Sequence, residues 1–394
     1  MLKEKNDLDH FQLHIKHILF LALLLISSLV MSQAHSPKTK HNLNAEFKIH
    51  YGFLWSHHLE LDRFQAHYPA FEFSIQKQTW GKHRWESEYA YPLIGLSVWY
   101  SSLGSFEEIG SAIAVYPFIN FPLVRDDVQS FNFRLGLGLG YLSNHFDRLD
   151  NYKNFAIGSH LNVAGSLFFE YRRKWGRIVT LSTGFGLTHF SNGSIKTPNY
   201  GLNILTANIG VSAFIGRPNP KGSRKVFPEL YPFEFDGRRY LEVNFTFSMG
   251  TKDMSQQLGQ RFMVYLFTAN LMKRVSYKSK VGIGLDLSYD ASDKAILEWR
   301  GQPVENEWQV LRPGVNIAYQ LMISRLSFLF QYGFHLAGKE RKEGDMYQRL
   351  TIKFLVTRNI FANIALNSHF GKADYIAFGL GYKLRFIYKR KYKH

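Results

Sequence analysis

Along most of the chain, apolar and polar residues alternate one by one. From Phe131 to Tyr141 the odd positions are Phe, Phe, Leu, Leu, Leu and Tyr, and the even positions are Asn, Arg, Gly, Gly and Gly. Successive side chains of a strand point to opposite faces, so this stretch sets a wholly apolar face against a small or polar one. A soluble sandwich also buries an apolar face, but its outer face is usually charged rather than glycine-rich. Large apolar residues outward and small polar residues inward is the pattern of a barrel in lipid. The glycines recur every second residue within a strand, whereas a dinucleotide-binding loop needs them at a strand-to-helix turn.

The same reading applies to Leu241–Met249, to Val281–Tyr289, and to Phe378, Leu380, Tyr382, Leu384 and Phe386 alternating with Ala377, Gly379, Gly381, Lys383 and Arg385. About sixteen such segments are expected, eight from Ala45 to Ile215 and eight from Tyr240 to Tyr388, each of roughly 9 to 13 residues, which suits tilted spanning strands. The fold expected is all-β, a transmembrane antiparallel β-barrel of about 14–16 strands closed as one. The alternative is an eight-stranded barrel followed by a second β unit. Pairing of the Ala45 strand with the Tyr382 strand would mean one barrel, and pairing with the Ile209 strand would mean that the first half closes alone.

One composition break interrupts the alternation. Gly216–Arg239 carries Pro218, Pro220, Pro228 and Pro232 with basic Lys221, Arg224 and Lys225. At the other extreme, Ile18–Met31 is an apolar run broken only by Ser27 and Ser28, and Ser32-Gln33-Ala34 follows with small residues at −3 and −1 of a cut. That is the pattern of a secretory signal peptide cleaved near Ala34. The run is shorter than the roughly 20 residues a spanning helix needs. The organisation expected is a signal peptide over 1–34, a barrel half over 35–215, a Pro-rich basic connection over 216–239, and a second barrel half with a basic tail over 240–394.

Composition then narrows the function. The 394 residues carry 48 Lys+Arg against 31 Asp+Glu, a net charge of +17, with 34 Phe, 22 Tyr, 7 Trp and no Cys. Absence of cysteine excludes disulfide scaffolds, thiolate metal sites and cysteine nucleophiles. The positive charge suits nucleic acid, a membrane surface or anionic lipid. Export removes nucleic acid, and the aromatics fit the lipid face and girdles of a barrel. The expected location is therefore the bacterial outer membrane.

The most informative stretch runs from Arg177 to Ile215. On its first strand Val179, Leu181, Phe185 and Leu187 share one face, and Thr180, Ser182, Gly184, Gly186 and Thr188 the other. His189 and Ser191 fall on the apolar side, where polar groups are costly without a partner or a task. Asn203, on the next strand, shares the outward parity, so the hairpin between brings His189, Ser191 and Asn203 to one outer rim. A nucleophilic mechanism needs a hydroxyl near an imidazole and a third group holding that imidazole. Residues i and i+2 lie about 6.5 to 7 Å apart at Cα, so spacing alone fits equally a pair of rim residues bonded to headgroups and water. In strand order the His189 strand is seventh, which places this hairpin outside the cell.

His189-Phe190-Ser191-Asn192 followed by Pro198-Asn199-Tyr200-Gly201 resembles the signature of the outer-membrane lipid A 3-O-deacylase family (PagL-type, more broadly acyloxyacyl hydrolase-like). The resemblance spans Ala45–Ile215, with its specific part in some fifteen residues. It implies an eight-stranded barrel that hydrolyses an acyl ester of lipopolysaccharide, with Ser191 as nucleophile, His189 as general base, Asn192 as oxyanion donor, and Pro198, Asn199 and Gly201 shaping the loop. The family's acid, a glutamate two residues after the PNxG glycine, falls on Asn203, and Gly193 stands where alanine is usual. Asparagine can accept the imidazole N–H but cannot stabilise an imidazolium electrostatically. A slow hydrolase, rescue by another carboxylate (Glu170 a weak candidate) and a lost activity all stay open.

Other constellations carry less. Adjacent His57-His58 point to opposite faces of a strand, so loop histidines are the expectation rather than a metal cluster. Arg172-Arg173-Lys174 and Arg341-Lys342 read as rim charges, and the His-Phe pair that recurs in both halves (His189-Phe190, His369-Phe370) reads as coincidence. The leading expectation is an outer-membrane lipid A deacylase needing no cofactor or metal, with lipopolysaccharide as partner and no nucleic acid. Its rivals are a non-catalytic barrel, either a degenerate deacylase or a porin-like channel, and a soluble exported β-sandwich.

Overall fold

The computed structural model describes residues 42–105, 107–176, 178–215, 238–340 and 344–389. The signal-peptide reading, nearly all of the Pro-rich connection and Arg341-Lys342 lie outside the described residues. Among the described residues sixteen strands form: β1 (Leu43–Leu54), β2 (His67–Gln78), β3 (Leu93–Ser101), β4 (Ala112–Arg125), β5 (Gln129–Leu142), β6 (Leu161–Trp175), β7 (Val179–Ser191) and β8 (Leu202–Ile215) in the first half. The second half has β9 (Arg238–Met254), β10 (Gln260–Arg274), β11 (Ser279–Asp290), β12 (Leu311–Ile323), β13 (Leu326–His335), β14 (Met346–Leu355), β15 (Ile360–His369) and β16 (Lys372–Lys389).

The strand count meets the expectation, and of the two closures the sequence left open, the second is observed. β1 pairs antiparallel with β8, Ala45 opposite Ala213 and Ile49 opposite Ile209. β16 pairs with β9, Tyr382 opposite Phe245. The chain therefore makes two closed eight-stranded barrels, each a meander of neighbouring strands. Packing divides it into two compact units, one built on β1–β8, the other on β9–β16 together with the loops His145–Ser159 and Ser191–Gly201.

Each wall follows the alternation. Outward Leu139, Phe185, Ile209 and Phe247 are exposed, while Ser182, Asn208, Thr246 and Ser248 face inward and are buried. This inverted distribution requires an apolar surrounding, because exposed apolar patches of that extent are not left in water. No described helix is long and apolar enough to cross a membrane.

The first barrel is filled, as expected for eight strands. The glycines of β5 make room for rings: a Cβ at Gly136 would meet Tyr116 at 2.7 Å, and one at Gly140 would meet Phe190 at 2.5 Å. Trp99, Tyr116, Arg134, Phe168 and Phe190 are all fully buried in this lumen.

Below the rings, three carboxylates and three cations interlock. Arg134 pairs with Glu72 (2.5 Å) and Glu170 (3.4 Å), Arg172 with Glu46 (2.7 Å), and Lys48 with Glu170 and Glu46. Tyr116 donates to Glu72 at 2.7 Å and Asn120 to Glu170 at 2.7 Å. Arg172 thus turns inward rather than serving as a rim charge, and Glu170 belongs to this plug.

Glu170→Ala should lower the stability of the folded barrel by about 3–5 kcal/mol, because it leaves Lys48 buried and short of its counter-charge. Urea unfolding in detergent, followed by heat-modifiable gel migration, reads this directly. A wild-type midpoint would show that the network holds nothing.

Candidate active site

The site is assembled where β7, β8 and β1 end together. In the β7–β8 ladder His189 stands directly opposite Asn203. The imidazole Nδ1 and the Asn203 Oδ1 lie 2.6 Å apart. The Nδ1–H donates to this carbonyl oxygen, which fixes the tautomer and leaves Nε2 as the free base. Asn203 uses its other end as well: its Nδ2 lies 3.0 Å from His57 Nδ1 and donates to it. Closure of the barrel explains this partner. Leu54 of β1 pairs with Ile204, and Trp55 N–H donates to the Asn203 carbonyl at 2.8 Å, so the residues just past β1 land beside Asn203.

His57 was expected as a loop histidine, and a loop is where it sits. Its role as the second partner of Asn203 was not read from the sequence, because 146 residues separate the two. No metal-holding group of His, Asp and Glu exists among the described residues.

The hydroxyl half of the site lies on the hairpin that follows. Ser191 Oγ accepts from Asn199 Nδ2 at 2.8 Å and from Gly193 N–H at 3.1 Å. Asn199 also takes the Asn192 N–H on its Oδ1 at 3.1 Å, so this motif asparagine does more than shape the loop. Gly193 and Gly201 have φ of 61° and 82°, the left-handed region that favours glycine. Gly201 N–H donates to Ala156 O at 2.8 Å, and Tyr200 N–H to Phe155 O at 3.2 Å. Pro198 is buried.

Asn192 is engaged throughout. Its Nδ2 donates to Ser159 Oγ and to Lys196 O, both at 2.9 Å, which occupies its two amide hydrogens. Farther along the hairpin, Thr197 N–H and Oγ1 both donate to Asp253 Oδ2 (2.7 and 3.1 Å), and Ser194 Oγ donates to Ala373 O at 2.8 Å. The loop that presents Ser191 is therefore pinned along its length.

Glu170 does not stand in for the family's acid. It is fully buried in the lumen, paired with Lys48 and Arg134. Among the described residues no carboxylate is hydrogen-bonded to His189 or Asn203. The arrangement offers a hydroxyl held by two N–H donors and an oriented neutral imidazole on the outer parity of one strand. These are the components of acyl transfer.

Residues 70–212 match the family model described as lipid A 3-O-deacylase (PagL), and residues 241–386 match the model described as acyloxyacyl hydrolase, C-terminal domain. Among solved structures, the outer membrane enzyme PagL aligns at 14% identity and a TM-score of 0.29, covering 42% of this chain and 97% of that one. A triple mutant of Rh. blastica porin aligns at 7% identity and a TM-score of 0.18, covering 87% of this chain and 99% of that one. No curated protein matches the chain.

Asn199→Ala removes both the donor to Ser191 Oγ and the acceptor of the Asn192 N–H. At about 1 kcal/mol per hydrogen bond, the hairpin should open roughly tenfold or more often. Trypsin cleavage after Lys196 in the intact protein should accelerate accordingly, and an unchanged rate would show that the hairpin is held by other contacts.

Proposed function

We propose, for a chain that belongs to the lipid A 3-O-deacylase (PagL) family, a serine esterase that removes an ester-linked acyl chain from lipid A. Its place is the outer membrane, whose outer leaflet holds this substrate. The observation that carries the reading is the His189–Asn203 pair at 2.6 Å, on the outward parity of the strand that also bears Ser191. Polar groups at that position face the acyl chains and headgroups of the leaflet, where a lipid ester comes within reach.

In this reading the substrate draws Ser191 Oγ toward His189 Nε2. Catalytic hydrogen bonds often tighten only when substrate is bound. Oγ attacks the ester carbonyl while Nε2 takes its proton, and collapse of the tetrahedral intermediate expels the sugar alcohol with that proton. Water, deprotonated by the same nitrogen, then releases the fatty acid from Ser191. Gly193 N–H and the Asn199 amide already lie against Oγ and are the nearest donors for the oxyanion. The oxyanion role implied for Asn192 would require one of its two loop bonds to open, so Asn192 serves this reading first as the residue that sets the loop.

Asn203 orients the imidazole without charge. In the serine-protease template the corresponding neutral orienter costs about 10⁴ in rate, so this enzyme is expected to be slow. The lipid A phosphates are the proposed counterpart of the net positive charge.

Mass spectrometry of lipid A from cells expressing the protein should show one acyl chain fewer, and the Ser191→Ala variant should restore the full number. Identical lipid A from both would remove the enzyme reading and leave a degenerate barrel. Asn203→Asp should raise the deacylation rate tenfold or more, since it supplies the missing charge. A rate equal to or below wild type would take the orienting role from Asn203.

A further inference from the structure

In the second barrel most inward cations have their own carboxylate. Lys252 pairs with Asp374 (2.6 Å) and Asp290 (3.2 Å), Arg312 with Asp293 (2.5 Å), and Arg349 with Asp286 (2.9 Å). The end of the lumen where β9 begins and β16 finishes departs from this balance. Lys280, Lys353 and Lys383 all point inward there and are 5%, 4% and 6% exposed, and the one buried carboxylate in the group is Glu242. Lys280 takes one of its oxygens at 2.7 Å, and the exposed Arg385 approaches the other at 3.5 Å.

Lys353 and Lys383 are left without an acceptor among the described residues. The recorded contact of the Lys353 ammonium is the face of Phe361, 4.4 Å from its centroid. Each of these lysines sits opposite an inward asparagine, Lys353 opposite Asn363 and Lys383 opposite Asn244. The Nδ2 groups of both asparagines are buried and make no hydrogen bond. Asn363 holds its orientation by accepting from Ser248 on its Oδ1 at 2.9 Å. β14, β15, β16 and β9 are consecutive in the wall, with Lys353 and Asn363 on the row of Gly379 and Ser248, and Lys383 and Asn244 four residues further along.

Unpaired buried cations and orphaned donors are among the costliest features a folded chain can keep. The first barrel, with three cations against three carboxylates, shows that this protein can balance a lumen. From that contrast we propose that this patch is a binding site for a small oxyanion of the phosphate or carboxylate class. Lys353 and Lys383 supply charge, and an orphaned asparagine Nδ2 opposite a lysine supplies an N–H donor. Lys280 stays with Glu242 and bounds the site. An anion taken up by these ammonium groups would accept charge-assisted hydrogen bonds.

The test uses the full-length protein in detergent micelles, titrated with inorganic phosphate at constant ionic strength against chloride. Phosphate should raise the thermal unfolding temperature beyond the chloride control, as a ligand that binds only the folded state does. Lys353→Met and Lys383→Met should each weaken the phosphate dependence roughly tenfold or more, while the exposed Lys339→Met leaves it unchanged. Lys353→Gln, which keeps a donor but no charge, covers the case in which methionine prevents barrel formation. It should also lose most of the effect. Absence of a phosphate-specific shift in the wild type, or an equal shift in the lysine variants, overturns the proposal. Neither outcome bears on deacylation, which is read separately on lipid A.

Discussion

The β1–β8 ladder is the interaction on which the candidate site depends. Eight strands can close only when the first meets the last in a single register, and that register sets Leu54 against Ile204. It brings Trp55 to the Asn203 carbonyl and His57 to the Asn203 amide. A slip of one residue would turn every outward side chain of β8 inward, Asn203 among them. The imidazole, its orienting amide and the second imidazole are thus consequences of closure.

Closure also imposes a cost inside. An eight-stranded lumen has room for side chains and at most one small ligand, so an inward polar group must be met by another side chain or by such a ligand. The first barrel meets this with rings over the β5 glycines and with a balanced ion-pair plug. The plug is insulated from water, so each of its charges depends on the others. That rigidity matters at the rim, because His189 and Asn203 stand on strands whose inward neighbours are locked. A base must hold its angle when its orienting partner is neutral and cannot pull it into place.

Much of this was legible in the sequence. Period-two alternation gives strands, their faces and the outward parity of His189, Ser191 and Asn203, since these are local properties of a pleated chain. The motif spacing identifies the hairpin and the resemblance to the deacylases. The number of closures was not legible, because one barrel of sixteen strands and two of eight obey the same local alternation. Pairing partners far apart in sequence decide between them. The partnership of His57 with Asn203 was hidden for the same reason. The engagement of Asn192 by Ser159 and Lys196, and of Ser191 by Asn199, depends on loop conformation, which alternation does not encode. Glu170, considered as a substitute acid, occupies an inward position and is claimed by Lys48 and Arg134.

The second barrel provides a comparison within one chain. Its seventh strand, like β7, carries a His-Phe pair near its end, but there His369 is buried in the lumen and its Nδ1–H donates to Met346 O, 2.9 Å away. Gly371, not a serine, follows two residues later. The same dipeptide at the same place in the same architecture therefore carries opposite parity and lacks the hydroxyl, so its recurrence is no sign of a second active site. What distinguishes β7 is its outward face, together with an amide that bridges two imidazoles. An aspartate at 203 could accept from His189 but could not donate to the acceptor nitrogen of His57. With the tautomers that this amide orientation implies, asparagine satisfies both. A carboxylate at 203 would keep the His57 contact only if the His57 proton moved to Nδ1, so the amide at 203 ties the two imidazoles as they stand, at the cost of the charge that would stabilise an imidazolium.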